Sequence, residues 1–192
     1  MQINEKELVK GCLEGNEKDF KVFYCHFYGK MLNVCVRYAK DKEEGKDVVQ
    51  EGFIRVFKNL HQFDFKGSLE GWVRRVMVNT AINHYRKYIK DIVSFMEEEK
   101  VLRMESQEEE EELGEEMISS DQILAMVQNL TPVYRTVFNL SVIEGYSHKE
   151  ISESLGITES TSRSNLTKAR IKLQEMVNTR LVKSNMHNAH GK

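Results

Sequence analysis

Residues 146–172 hold the side chains best suited to read a DNA duplex. They run Y-S-H-K-E-I-S-E-S-L-G-I-T-E-S-T-S-R-S-N-L-T-K-A-R-I-K. Ile151 and Leu155, spaced i,i+4, predict a short amphipathic helix. Gly156 stops it, Ile157 turns inward and Thr158 offers an N-cap for a second helix. That helix places Leu166, Ala169 and Leu173 on one face. The pattern is a helix-turn-helix, whose second helix can enter a major groove. Arg163 has the fork needed for two bonds to guanine, a contact that discriminates by roughly 1–3 kcal/mol. Ser160, Thr161, Ser164 and Asn165 bring hydroxyls and an amide to the same helix. Lys168, Arg170 and Lys172 supply cations for phosphates. Ser147 and His148 open the preceding helix, where free backbone amides favour an anion.

A second cluster lies at residues 61–83. The loop H-Q-F-D-F-K-G-S sets Phe63 and Phe65 beside Asp64, Lys66 and Ser68. The helix after it offers Trp72, Arg74, Arg75, Asn79 and Asn83. Rings interleaved with cations suit single-stranded DNA, because bases stack on the rings and phosphates meet the cations. Core packing is the competing role for Trp72 and the phenylalanines.

These groups need helices to position them. Phe20, Phe23, Tyr24, Phe27, Met31, Val34, Cys35 and Tyr38 recur at three- and four-residue steps, which predicts an amphipathic helix with a break near Gly29. Residues 40–46 read as a turn. Val49, Phe53, Val56 and Leu60 form the inner face of the next helix. That leaves Asp47, Gln50, Glu51, Ile54, Arg55 and Lys58 outside, as a solvated face or a docking face. Ser68 caps a third helix with Leu69, Val73, Val76 and Met77 inward, extending toward Tyr88. Ile123, Leu124, Val127 and Leu130 predict a further helix. Another begins at Pro132, with Val133, Val137, Phe138 and Leu140 inward.

The expected fold is all-α, with two small helical domains. The expected boundaries are 1–92, an acidic linker over 93–120, a helix-turn-helix domain over 121–180, and a polar, frayed tail over 181–192. The formal net charge of −2 hides this division. Residues 97–121 contain twelve acidic and two basic side chains, leaving 26 Lys/Arg against 18 Asp/Glu elsewhere. Both flanking parts are therefore basic, as a nucleic-acid binder requires. The sequence has no apolar run long enough for a membrane helix and no secretion signal, so membrane insertion is not expected and a cytoplasmic location is. Cys12, Cys25 and Cys35 lack paired spacing and read as free, mostly buried thiols.

Four segments taken together resemble the bacterial RNA polymerase sigma factors, and more narrowly their extracytoplasmic-function group. They are D-V-V-Q-E-G-F-I-R-V-F-K-N-L (47–60), G-W-V-R-R-V-M-V-N-T-A-I-N-H-Y-R-K (71–87), L-T-P-V-Y-R-T-V-F (130–138) and the helix-turn-helix. The match spans roughly residues 10–178 in the family's order and spacing. It implies an alternative sigma factor that binds core RNA polymerase and directs promoter-specific initiation. Asp47, Gln50, Glu51, Ile54 and Arg55 would then meet a polymerase coiled coil. Phe63, Asp64, Phe65, Lys66, Ser68, Trp72, Arg74, Arg75, Asn79 and Asn83 would open the minus-ten element, with a flipped base held by the loop. Ser147, His148, Ser160, Thr161, Arg163, Ser164, Asn165, Lys168 and Arg170 would bind the minus-35 element. By analogy the resemblance also implies an anti-sigma factor. In such a protein the run of carboxylates at 108–112 can mimic nucleic acid in a basic channel. Ser162, Asn165 and Thr167 depart from the family's common pattern.

The residues predict no enzyme, no metal, no cofactor and no small-molecule substrate. The six histidines have no ligand partners at useful spacing, and no phosphate-binding glycine loop is present. A helix-turn-helix regulator acting without polymerase is the alternative function. The basic, Asn-rich helix at 71–87 argues against it. A module that sequesters polymerase without touching DNA is a third, disfavoured by the basic reading helix.

Overall fold

The structure is a computed structural model and describes residues 4–98 and 119–190. All regular structure among these residues is helical, as the composition leads one to expect. The chain divides into two compact units, Met1–Tyr85 and Arg86–Lys192.

The first unit is built from α1 (Glu5–Leu13), α2 (Glu17–Val36), α3 (Lys42–Asn59), a short 3-10 turn (Leu60–Gln62) and the start of α4 (Leu69–Glu98). Side-chain caps set the helix starts. Asn4 accepts from the Lys6 and Glu7 N–H groups, Asn16 from Lys18, and Asp41 from Glu44 at 2.8 Å. Ser68 accepts from the Gly71 N–H at 3.1 Å and so caps α4. Each such cap is worth about 1 kcal/mol.

The core of this unit is aromatic between α2 and α3. Phe57 meets Phe20 at 4.9 Å and Phe23 at 5.2 Å between ring centroids, and Tyr24 meets Phe53 at 4.6 Å. The expected inner residues Val49, Phe53, Val56 and Leu60 are all buried. Leu69, Val73 and Met77 of α4 are buried with them, together with Val78, Ala81 and Ile82. Burial of each large side chain contributes about 1.5–3 kcal/mol. Two glycines let the helices approach. A Cβ on Gly52 of α3 would lie 2.1 Å from the Met77 sulfur, and one on Gly45 would lie 2.9 Å from Val36 Cα.

Three expectations need correction here. The helix α2 runs unbroken through Gly29, since its flanking turns are held by buried Phe27 and Met31. Residues 42–46 are helical rather than a turn, because Asp41 starts α3 there. Val76 is only half-buried; Val78 and Thr80 are buried instead. The Thr80 hydroxyl satisfies itself on the Val76 carbonyl at 2.8 Å.

The second unit contains α5 (Ser120–Gln128), α6 (Pro132–Phe138), a wide π-type turn (Asn139–Ile143), α7 (His148–Leu155) and α8 (Glu159–His190). Ser119 with Gln122, and Ser147 with Glu150, form reciprocal capping boxes. Pro132 occupies the first turn of α6, as expected. Gly156 ends α7 at φ +69°, in the left-handed region that a side chain resists. Met126, Val127, Leu130, Val137, Leu140, Ile151, Leu166 and Ala169 are buried. Ile123 is not an inner residue: it is 53 % exposed, and Met126 takes the core position. Val133 and Phe138 are half-buried. Arg135 is buried and donates to the Leu130 carbonyl at 3.1 Å, tying the α5–α6 corner together. The expected frayed tail is helical to His190, consistent with the absence of Gly or Pro between residues 157 and 190. Most of the acidic linker, including 108–112, lies outside the described residues.

Candidate nucleic-acid interface

The helix α3 presents Asp47, Gln50, Glu51 and Ile54 outward at helical spacing. Ile54 is 68 % exposed, the most exposed of the large apolar side chains described. Arg55 is half-buried and reaches back to Glu51 at 2.6 Å. This face therefore sets one exposed apolar side chain among charged and polar ones, an arrangement in which methyls can give contact area and charges register.

The loop at 61–68 separates its two rings. Phe63 is 6 % exposed and packs on Trp72 at 5.7 Å between centroids. It packs in the core, the competing role for the loop phenylalanines. Phe65 is 44 % exposed and has φ 58°, unusual for a bulky side chain. It leans on Phe63 at 4.8 Å, so the buried ring is a platform under the exposed one. Asp64 fixes the turn, accepting from the Lys66 N–H at 3.0 Å while its other oxygen meets Lys66 Nζ at 3.0 Å. The backbone bond first, then the ammonium, hold the Asp64 carboxyl below its usual range. Trp72, Arg75, Asn79 and Asn83 share one stripe of α4, with the last three exposed and Trp72 half-buried. Arg74 is half-buried and sits off this stripe, bordering the core face. Ser68 is exposed, though its oxygen serves the α4 cap.

The helix-turn-helix is formed by α7 and α8. The Thr158 hydroxyl accepts from the Thr161 N–H at 3.0 Å and lies 2.8 Å from the Thr161 hydroxyl, so α8 starts where expected. Ser160, Thr161, Arg163, Ser164, Lys168 and Arg170 are exposed on α8. Arg163 rests on Glu159 at 2.7 Å, one turn back, which holds its guanidinium along the first turns of α8. Asn165 is 9 % exposed and faces the core with Leu166, so it is not part of the exposed set. The Ser147 hydroxyl is consumed by Glu150, accepting from its N–H at 3.2 Å and donating to its carboxylate at 2.7 Å. His148 is half-buried, with Nδ1 2.9 Å from the Ser162 hydroxyl. Ser162 was not among the expected site residues. Its signs in the sequence were a departure from the family's common pattern and a polar residue in a core register.

Comparison with known proteins identifies the family. The family descriptions "Sigma-70 region 2" and "Sigma-70, region 4" match residues 23–89 and 120–173. The RNA polymerase sigma-H factor of Pseudomonas aeruginosa is 27 % identical over 178 residues, covering 88 % of this chain and 91 % of that protein. The extracytoplasmic-function (ECF) RNA polymerase sigma factor SigW of Bacillus subtilis is 27 % identical over 186 residues, covering 92 % and 98 %. Among solved structures, the sigma factor RpoE of Bartonella quintana, crystallised with the anti-sigma factor NepR, has the same fold. Its TM-score is 0.52 at 16 % identity, covering 84 % of this chain and 98 % of that one. The chain belongs to the sigma-70 family, in its extracytoplasmic-function group. Sigma factors are transcription initiation factors that work with core RNA polymerase on promoter DNA.

Proposed function

We propose that this sigma factor divides promoter recognition between its two units and keeps polymerase docking on a third surface. The exposed start of α8 reads the minus-35 element. Arg163 contacts bases while Ser160, Thr161, Ser164, Lys168 and Arg170 fix the helix against the backbone. Phe65, Asp64 and Lys66 capture an unstacked minus-ten base, and Trp72, Arg75, Asn79 and Asn83 hold the adjoining strand. Asp47, Gln50, Glu51, Ile54 and Arg55 bind core polymerase.

The observation that carries this reading is the division of α8. Ser162, Asn165, Leu166 and Ala169 are buried, while Ser160, Arg163, Ser164 and Lys168 are exposed. A helix anchored along one face and polar along the other is what a groove-reading element needs.

No helix among the described residues is long and apolar enough to cross a membrane. The protein acts in the cytoplasm beside polymerase in this reading. An anti-sigma factor is its proposed regulator, in keeping with the partner of the Bartonella quintana relative.

The test is transcription by sigma-free core polymerase from a randomised promoter library, with and without the chain. Initiation that requires the chain and enriches two separated sequence blocks supports the proposal. Enrichment of a single block, or DNA binding without initiation, refutes it.

A further inference from the structure

The buried hydroxyl of Ser162 has no part in the reading above. A threonine or serine inside a helix commonly bonds to the carbonyl four residues back. Thr80, Thr167 and Thr179 do so here, on Val76, Arg163 and Glu175. Ser162 does not follow them. The carbonyl four residues back, on Thr158, takes the Ser162 N–H at 2.9 Å, and the hydroxyl instead reaches across to α7. Its partner is Nδ1 of His148 at 2.9 Å, and Ser162 itself is 0 % exposed.

His148 is the first residue of α7, immediately after a cap whose hydroxyl is already engaged by Glu150. Its imidazole is therefore the polar group at that helix start that is fixed in direction by the reading helix. When the Ser162 hydroxyl donates to Nδ1, the neutral ring carries its proton on Nε2. Nε2–H is then a donor, as a phosphate oxygen requires. The helix N-terminus adds favourable partial charge for the same anion.

We propose that Ser162 is a positioning residue for promoter binding: through Nδ1 it sets the ring of His148 so that Nε2–H bonds one backbone phosphate beside the minus-35 element. The contact ties α7 on the backbone to the register of α8 in the groove. This rests on the assignment of α7 and α8 to the minus-35 element.

The experiment uses the full chain with core polymerase on the promoter recovered by the selection above. Single phosphates around the upstream block are replaced in turn by uncharged methylphosphonates, and affinity is measured for wild type, S162V, S162T and H148A. Wild type is expected to lose about tenfold in affinity at one phosphate, the scale of one charge-assisted hydrogen bond. S162V and H148A are expected to be indifferent at that phosphate and normal at the others, while S162T keeps the wild-type response. H148A tests the phosphate contact itself, and S162A, which removes the hydroxyl without adding bulk, carries the positioning test should S162V fail to fold. Full sensitivity of H148A at every phosphate overturns the proposal, as does full sensitivity of a folded S162V or S162A. A wild-type holoenzyme that fails to initiate, or that ignores the upstream block, instead overturns the assignment on which the proposal stands.

Discussion

Phe63 and Trp72 pack ring against ring, 5.7 Å between centroids with planes inclined by 48°. The pair joins the 61–68 loop to α4, and Phe65 rests on it from outside. Loss of each phenylalanine should therefore have a different consequence. Phe63→Ala is expected to cost about 3–5 kcal/mol of stability, as a buried ring leaves a cavity. Phe65→Ala should leave stability nearly unchanged and weaken binding of minus-ten single strands by about 1–3 kcal/mol, one base stack. Phe65→Gly should unfold at higher denaturant than Phe65→Ala, because glycine accepts φ 58° without strain. Urea unfolding and strand-binding titrations on the three variants check this.

Ile54 is 68 % exposed, so charge at that site has no folding cost to speak of. Ile54→Glu is expected to change stability by less than about 0.5 kcal/mol. Its affinity for core polymerase should fall at least tenfold, since it buries an unpaired carboxylate in an apolar contact. Competition against wild type for limiting core polymerase reads the second effect. Equal competition removes α3 from the docking surface.

Gly52 and Met77 cannot both keep their places if a methyl is added between them, given the 2.1 Å approach. Gly52→Ala should destabilise the first unit by about 1–3 kcal/mol, despite the better helix propensity of alanine. Pairing it with Met77→Ala should recover part of the loss, a coupling visible in a double-mutant cycle.

Burial raises the Cys35 thiol to about 12, and burial with the nearby Asp19 carboxylate raises Cys12 to about 11. Cys25 is exposed. At neutral pH a thiol reagent should modify Cys25 quickly and the other two only on unfolding, which mass spectrometry of the labelled chain resolves. The raised values mean that folding favours the neutral thiols. Their contribution is complete below the unfolded value near 9 and is lost as pH climbs through 11 to 12. Stability should accordingly fall across that alkaline window, and substitution of both thiols by alanine should flatten the fall.

Much of this architecture follows from periodic apolar residues and local punctuation. Val49, Phe53, Val56 and Leu60 repeat at helical spacing and are buried together. Gly156 and Thr158 mark the turn of the helix-turn-helix by backbone preference and capping, both local effects. What the sequence hid depends on tertiary context. Gly45 and Gly52 carry no hydrophobic signal, yet they set how closely α2, α3 and α4 approach. Phe63 and Phe65 are the same residue type two positions apart, and a single positive φ sends one inward and the other out. Asn165 and Ser162 look like groove-facing groups by type and are core-facing by register. Ile123 fits an apolar stripe but lies outside it, because α5 packs through Met126 and Val127.

In the proposed function, two separate surfaces read two separate promoter blocks. The direct measurement is the library selection repeated in parallel with Arg163→Ala and Phe65→Ala. Arg163→Ala is expected to relax preference in the upstream block alone, losing about 1–3 kcal/mol at one base pair. Phe65→Ala is expected to relax the downstream block alone, with the start site unmoved. Both variants altering the same block, or each altering both, would contradict the division of labour assigned here.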